Sequence, residues 1–225
     1  MTENKDNYSI IASKTSLSSK KAYKKMFILT VISFWLIFSS VSFVYNALPQ
    51  NESLAYEISL NHFISPNIYL PLEKQQPYMC SGYSVSFLKQ FYNLQSNTRD
   101  SYQQMSYSLP FLHGVPPYRL ANYLNNSSFN TGVYRGTLTN LFHHIVNDRP
   151  VIVLVGEGIS WQHYLVLVGY DIEHEKLFFY DPGEPLQVHE NIMKGNNELS
   201  FQEFKAIWAN GLPLYNHIYI PGYLG

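Results

Sequence analysis

The chain has 225 residues, 46% of them hydrophobic and 14% charged, a balance that supports a folded core and excludes a chain disordered throughout. Its formal net charge of −1 gives no electrostatic reason to expect nucleic acid as a partner. The single cysteine, Cys80, excludes an intrachain disulfide and a structural zinc site built from several cysteines. A lone cysteine is either an inert side chain or a nucleophile.

The first predicted element is a single transmembrane helix over Phe27–Val44, a run of eighteen residues without a charge. Residues 1–25 hold six lysines and two acidic residues, a net charge of +4, and the next Lys or Arg after the span is Lys74. Because positive charge stays on the cytoplasmic side, this pattern predicts a cytoplasmic basic tail over residues 1–25, a membrane anchor over residues 26–45 and export of everything that follows.

A cleavable signal segment is the alternative to a retained anchor, with Ser40–Ser42 or Ala47 as the small-residue cleavage site. Residues 46–70 combine Asn, Pro and short apolar pieces and are predicted to form a stalk, which leads into a folded domain over residues 71–225. From residue 26 onward the chain has nine basic and fourteen acidic residues, so binding to anionic lipid or nucleic acid is not predicted.

Three helices are predicted at the start of the domain. Apolar residues at helical spacing predict a helix over Ser81–Asn93, which places Cys80 at its N-terminus. Two prolines open a short helix over Pro116–Leu124, because proline is tolerated in a first turn. Thr137 caps an amphipathic helix over Leu138–Val146, whose apolar residues follow the i, i+3, i+4, i+7, i+8 rule.

Strands and one further helix follow. Val151–Val155 is a β-branched run typical of a buried strand, and Gln162–Tyr170 with Lys176–Asp181 is predicted to form a hairpin. A capping box opens a helix within Ser200–Gly211, and Tyr215–Ile220 is the last predicted strand. Helices followed by an antiparallel sheet indicate an α+β fold and argue against a doubly wound one.

Cys80, His163 and Asp181 form the candidate catalytic group. A thiol at a helix N-terminus faces unpaired backbone amides and the positive end of the helix dipole, both of which favour the thiolate. His163 opens the hairpin, and antiparallel pairing places Asp181 opposite residues 165–167, one diagonal step from His163. A nucleophile, a base and an orienting carboxylate therefore come within reach of each other. Considered separately, each residue can also be purely structural: Cys80 as a buried thiol, His163 as a core histidine and Asp181 as a turn aspartate.

Gln75 and Gln76 are the candidate oxyanion donors, since a side-chain amide from either could join the Cys80 backbone amide in stabilising a tetrahedral oxyanion. His143 and His144 are adjacent on a helix and have no partners at metal-ligand spacing, so no metal site and no cofactor are predicted. The sequence contains neither the Gly-x-Ser-x-Gly motif of serine hydrolases nor a phosphate-binding loop, so no nucleotide partner is predicted.

Sequence motifs around the candidate residues carry a family resemblance. They are Gln75–Ser84, Arg149–Val153, Trp161–Tyr164 with Val168–Asp171, and Tyr180–Gly183. In this order they resemble the papain-like bacteriocin-processing (double-glycine) cysteine peptidases, especially their stand-alone relatives in Gram-positive bacteria, over about residues 70–220. The resemblance implies a papain-like fold with helices packed on an antiparallel sheet. It also implies that Cys80 is the nucleophile, His163 the general base and Asp181 the orienting residue.

The chain departs from the family's pattern at two places. The processing members usually show Cys-Gly, whereas this chain has Cys80-Ser81-Gly82. Their oxyanion glutamine usually lies six residues before the cysteine, where this chain has Lys74, with Gln75 and Gln76 following it. The second departure leaves the choice between the two glutamines open.

The expected function is that of an extracytoplasmic, membrane-anchored cysteine peptidase, held at the cell membrane by residues 27–44. It would hydrolyse a peptide or a wall-linked amide through an acyl-enzyme intermediate. One alternative is a catalytically silent papain-like module that binds peptides at the cell surface. Another is an acyl-transferring relative of the transpeptidase type, which uses the same residues and differs in the acceptor.

Overall fold

The computed structural model describes eight stretches of the chain. They are residues 24–40, 48–52, 58–64, 74–106, 114–158, 160–184, 194–209 and 214–225. The chain divides into two units, Met1–Ala47 and Leu48–Gly225. In the first unit, residues 24–40 form helix α1, and its large apolar side chains, such as Phe34 and Trp35, are exposed.

The predicted membrane span is covered in part by helix α1. Residues 27–40 of the span fall within the helix, whereas residues 41–44 lie outside the described residues, as does the basic tail up to residue 23. Among the residues that the structure describes, no helix combines the length and the hydropathy needed to cross a membrane.

One mixed sheet forms the centre of the second unit. In the described part of that unit the strands are β1 (Gln50–Asn51), β2 (Asn61–Phe63), β3 (Tyr134–Arg135), β4 (Val151–Glu157), β5 (Trp161–Asp171), β6 (Lys176–Tyr180), β7 (Asn197–Ser200) and β8 (Ile218–Pro221). Their order across the sheet is β1-β3-β8-β4-β5-β6-β7, and β2 pairs with the end of β5. The β1–β3 pair is parallel and the other pairs are antiparallel.

The described helices of the second unit are α2 (Cys80–Phe91), α3 (Thr98–Met105), α4 (Pro117–Asn125), α5 (Leu138–Val146) and α6 (Phe201–Ala209). Residues 151–156 of β4 and 163–170 of β5 are all buried, so both faces of these central strands are covered. Helices α2 and α5 pack against β5, and α6 packs against β4. The predicted combination of helices with a largely antiparallel sheet is confirmed.

The predicted helices of the domain form where the sequence carries local signals. Helix α2 begins at Cys80 itself. Helix α5 is opened by Thr137, whose backbone N–H and hydroxyl donate to Asn140 Oδ1 at 2.9 and 3.0 Å. Helix α6 follows the predicted capping box, in which the Ser200 N–H donates to Glu203 Oε2 at 2.8 Å. The predicted end of α6 lies outside the described residues.

Two elements differ from the prediction. The sequence does not predict helix α3, because its residues are mostly polar and form no apolar stripe; it is capped instead by Asn97, whose Oδ1 accepts from the Asp100 N–H at 3.2 Å. Strand β8 begins at Ile218, three residues later than predicted. The residue before it, His217, has a left-handed φ of 55°, through which a strand cannot continue.

The predicted stalk over residues 46–70 belongs to the folded unit in its described parts. Strand β1 pairs with β3, and β2 pairs with β5. Ile64, directly after β2, is 2% exposed. The second unit begins at Leu48, whereas the sequence predicts a domain start at residue 71. Strands of two or three residues are too short to show alternation in sequence, so only their pairing partners reveal them.

Two substitutions in this segment separate a stalk from a folded strand. We expect Ile64→Ala to lower the free energy of unfolding by about 2–5 kcal/mol, because it leaves a cavity in the core. We expect Leu60→Ala, whose side chain is 70% exposed, to change it by less than about 0.5 kcal/mol. Urea unfolding of the full-length chain measures both. Equal, small effects would restore the stalk interpretation.

Candidate active site

A cleft of about 660 Å³ lies where the start of helix α2 faces strand β5. Cys80 and His163 both line it, together with Gln75 from the segment that precedes the helix. The remaining described walls are mostly aromatic, aliphatic and proline side chains. A concave, largely apolar pocket with a few polar groups that converge in it is the usual form of a substrate site.

The Cys80 thiol is positioned by the way helix α2 begins and by the strand on which it packs. Tyr78 adopts a left-handed φ of 66°, and this turn directs the chain into the helix at Cys80. One helical turn later, the Ser84 hydroxyl donates to the Tyr164 carbonyl at 3.4 Å, inside the core. Because Tyr164 follows His163 directly, this bond holds the first turn of the helix beside the imidazole. The sequence prediction that Cys80 lies at a helix N-terminus is confirmed.

His163 and Asp181 form a buried hydrogen-bonded pair. His163 Nε2 donates to Asp181 Oδ1 at 2.6 Å, and both residues are 7% exposed. Since Nε2 is engaged with Asp181, Nδ1 is the ring nitrogen left for the Cys80 thiol, which lines the same cleft. The structure therefore brings the three predicted residues together in the order thiol, imidazole and carboxylate.

A β-bulge in strand β5 decides that the carboxylate faces the imidazole. Tyr180 pairs with Val166, but the register shifts between Leu167 and Gly169. Without this one-residue shift, Asp181 would lie opposite Val166. Its side chain would then point to the face of the sheet opposite to His163, because side chains alternate along a strand. With the shift, Asp181 lies opposite residue 165, and its side chain is on the face that carries His163.

The electrostatics of the pair favour its charged form. Burial by itself lowers the pKa of His163, but the hydrogen bonds to Asp181 and Cys80 and their charges outweigh it and raise that pKa to about 9. Burial likewise raises the pKa of Asp181, but the hydrogen bond and charge of His163, with further bonds from Asn197 and the Gly183 amide, hold it below its ordinary value. At neutral pH an imidazolium therefore lies between the carboxylate and the thiol.

The two candidate oxyanion glutamines lie in different surroundings. Gln75 lines the cleft, and its backbone N–H donates to the Pro182 carbonyl at 2.7 Å, which ties it to the turn after Asp181. Its side-chain Oε1 is buried and has no hydrogen-bond partner among the described residues. Gln76 is exposed and is not among the residues that line the cleft. The structure thus places Gln75, and not Gln76, at the candidate site.

Three residues that the sequence does not predict as site residues support the pair. The Trp161 ring stacks on the His163 ring with centroids 5.7 Å apart, and the tryptophan is 46% exposed. Asn196 and Asn197 both bond to Asp181. The signal for Trp161 is its position two residues before His163, which puts both on one face of the strand. The asparagines lie fifteen and sixteen residues after Asp181 and give no local signal.

In the described part of the chain, no group of three or more His, Cys, Asp or Glu could hold a metal ion.

Solved structures share the fold of this chain. A C39-like peptidase from Bacillus anthracis superposes with a TM-score of 0.54 at 13% identity, over 73% of this chain and 98% of that one. The peptidase domain of Streptococcus ComA, a bifunctional ABC transporter involved in a quorum-sensing pathway, gives 0.50 at 17% identity, over 68% and 98%. A double-glycine motif protease from an AMS/PCAT transporter, in complex with its leader peptide, gives 0.50 at 14% identity, over 73% and 99%.

At these identities the likeness establishes the fold. A search of the curated proteins finds no match. The model of the Peptidase_C39 like family matches residues 67–211, which is more than half of the chain and includes Gln75, Cys80, His163 and Asp181. The resemblance drawn from the sequence motifs is therefore confirmed, and the chain belongs to the Peptidase_C39 like family.

Proposed function

We propose that the second unit is a cysteine peptidase with Cys80 as its nucleophile, His163 as its general acid and base, and Asp181 as the orienting carboxylate. The observation that carries this proposal is the hydrogen bond of 2.6 Å from His163 Nε2 to Asp181, which leaves the other ring nitrogen for the thiol at the start of α2 in the same cleft. A structural histidine would need one partner, whereas this arrangement places a base with its orienting carboxylate in one cleft with a nucleophile.

The reaction that this geometry supports has two halves. The Cys80 thiolate attacks the carbonyl carbon, and the negative charge that develops on the carbonyl oxygen is stabilised by the unpaired amides at the helix start and by the Gln75 side chain. The His163 imidazolium gives its proton to the departing amine, which leaves a thioester on Cys80. Neutral His163 then removes a proton from water, the hydroxide attacks the thioester, and the acid product leaves as the Cys80 thiolate departs, which restores the thiolate and the His163 imidazolium.

The walls of the cleft indicate the kind of substrate. Among the described residues that line it, no Asp, Glu, Lys or Arg is present, and Val115, Leu154 and Tyr164 form its buried side. The Tyr164 hydroxyl is bonded to the Val115 carbonyl at 2.8 Å. Burying a charge against such a surface is unfavourable, so the residues next to the scissile bond should be uncharged. A peptide with an apolar segment fits better than a highly charged one.

Digestion of a mixed peptide pool tests both statements. We expect the full-length chain to cleave peptides within uncharged segments, and Cys80→Ser to reduce the rate by at least about 10³-fold, because a hydroxyl at this position lacks the thiolate's reactivity. Mass spectrometry of the products gives the cleavage sites. Cleavage by the Cys80→Ser variant at the wild-type rate would remove the proposed nucleophile, and cleavage mainly beside charged residues would contradict the substrate class.

Alkylation of Cys80 by iodoacetamide tests the nucleophile without a substrate. We expect His163→Ala to slow the reaction at pH 7 by about tenfold, because the adjacent imidazolium stabilises the thiolate. The matched control is His174→Ala, since His174 lies on the surface and bonds Asp171. The chain contains one cysteine, so the signal has a single source. An unreactive thiol in the folded protein would favour the catalytically silent binding module.

We further propose that the peptidase unit lies outside the cell, attached to the membrane through residues 27–44. The support is the charge-free run of eighteen residues and the lysines that precede it. We expect a reporter fused to Gly225 to be active when it is of a type that functions only after export, and inactive when it functions only in the cytoplasm. The reverse result would place the unit in the cytoplasm and exclude wall-linked substrates.

A further inference from the structure

Asn196 holds the backbone of Asp181 by two hydrogen bonds. Its Oδ1 accepts from the Asp181 N–H at 2.7 Å, and its Nδ2 donates to the Asp181 carbonyl at 2.8 Å. Strand β6 has ended one residue earlier, at Tyr180. The side-chain amide thus takes the place of a neighbouring strand for one residue and keeps the backbone of Asp181 extended beyond the sheet ladder.

Asn197 holds the carboxylate itself. Its Nδ2 donates to Asp181 Oδ2 at 2.9 Å, while Asp181 Oδ1 accepts from His163 Nε2 at 2.6 Å and from the Gly183 N–H at 2.7 Å. Both oxygens are engaged, so the carboxylate cannot rotate without losing a bond. A buried carboxylate that accepts several hydrogen bonds also keeps its negative charge more readily than one that accepts a single bond.

Gly195 allows Asn196 and Asn197 to come within hydrogen-bond distance of Asp181. Its φ is +69°, and a Cβ at this position would lie 2.0 Å from the Phe179 carbonyl oxygen. The next amide, that of Asn196, donates to the same carbonyl at 2.9 Å. Any residue with a side chain would push this segment away from the end of β6, and with it the two amides that reach Asp181.

We propose that Asn197 and Asn196, delivered by Gly195, are positioning residues of the active site, which hold Asp181 so that one carboxylate oxygen points at His163. This inference rests on the proposed peptidase function. It assigns a role to a segment that the motifs around Cys80 and His163 do not include. The Asn197 bond acts on the far oxygen of the carboxylate, so its effect reaches the thiol only through Asp181 and the imidazole.

The electrostatic consequence gives the proposal a specific readout. Removal of the Asn197 donor raises the pKa of Asp181, because one bond to its charged form is lost. Without the Asn197 bond the carboxylate can also rotate away from His163, and because the hydrogen bond and charge of Asp181 raise the pKa of His163, that pKa falls from about 9. Loss of a purely structural bond would lower stability and leave this titration unchanged.

The test is a proton NMR titration of His163 in the full-length chain, with kcat and KM measured on a peptide that the wild type cleaves. The variants are Asn197→Leu, which keeps the size of the side chain and removes the donor, and Asn197→Ala. The matched control is Glu198→Ala, which changes the adjacent residue of β7, where Glu198 forms a surface ion pair with Lys176.

We expect the midpoint of the His163 titration to fall by about one pH unit in both Asn197 variants and to stay in place in Glu198→Ala. We also expect kcat to fall about tenfold, KM to change less than about twofold, and the alkaline limb of the pH–rate profile to move with the titration. Near-UV circular dichroism checks that each variant is folded. If Asn197→Ala does not fold, the titration of Asn197→Leu alone tests the proposal.

A His163 midpoint that stays at its wild-type position in folded Asn197→Leu would overturn the proposal, whatever the activity. If the Cys80→Ser variant proves active, the proposed peptidase mechanism fails, yet the titration still decides whether Asn197 acts on His163 through Asp181. A midpoint shift without any change in kcat would overturn the positioning role in catalysis. The two failures are therefore distinguishable.

Discussion

The hydrogen bond of 2.6 Å between His163 and Asp181 depends on one extra residue in a strand, and the rest of the site depends on that bond. Side chains alternate along a strand, so a carboxylate that arrives one residue early or late points away from its partner. The bulge in β5 corrects the register by one residue close to the end of β6. Once the carboxylate is in place, the tautomer and the orientation of the imidazole follow, and its second nitrogen is left for Cys80, which lines the same cleft.

The buried pair must be compensated on every side, because a charge removed from water is costly unless it is paired and hydrogen-bonded. The compensation comes from separate parts of the chain. The turn after β6 supplies the Gly183 amide, and the segment that enters β7 supplies Asn196 and Asn197. The Trp161 ring covers the imidazole on the cleft side. Polar groups thus surround the carboxylate, while the adjoining cleft walls stay apolar.

The thiol depends on a different set of contacts, which the same two strands support. Helix α2 lies across β5, with the Ser84–Tyr164 hydrogen bond one turn after Cys80. The start of the helix provides unpaired amides, and the segment before it brings Gln75 to the cleft through a backbone bond to Pro182. Gln75 and the turn after Asp181 are therefore linked by a main-chain hydrogen bond, which side-chain motion does not break, and the start of α2 is held to β5 by the Ser84 hydroxyl.

The amino-acid sequence by itself determined the elements whose signals are local: the helix that starts at Cys80, the amphipathic helix capped by Thr137, and the hairpin that carries His163 and Asp181. Their periodicity and caps involve residues a few positions apart, so they can be read without the fold. The tertiary structure decided the bulge in β5, the choice of Gln75 over Gln76, the short strands β1 and β2, and the part played by Asn196 and Asn197. These features arise from pairing between segments distant in the chain, where no local pattern records which side chain meets which, and only the packed sheet determines the partner.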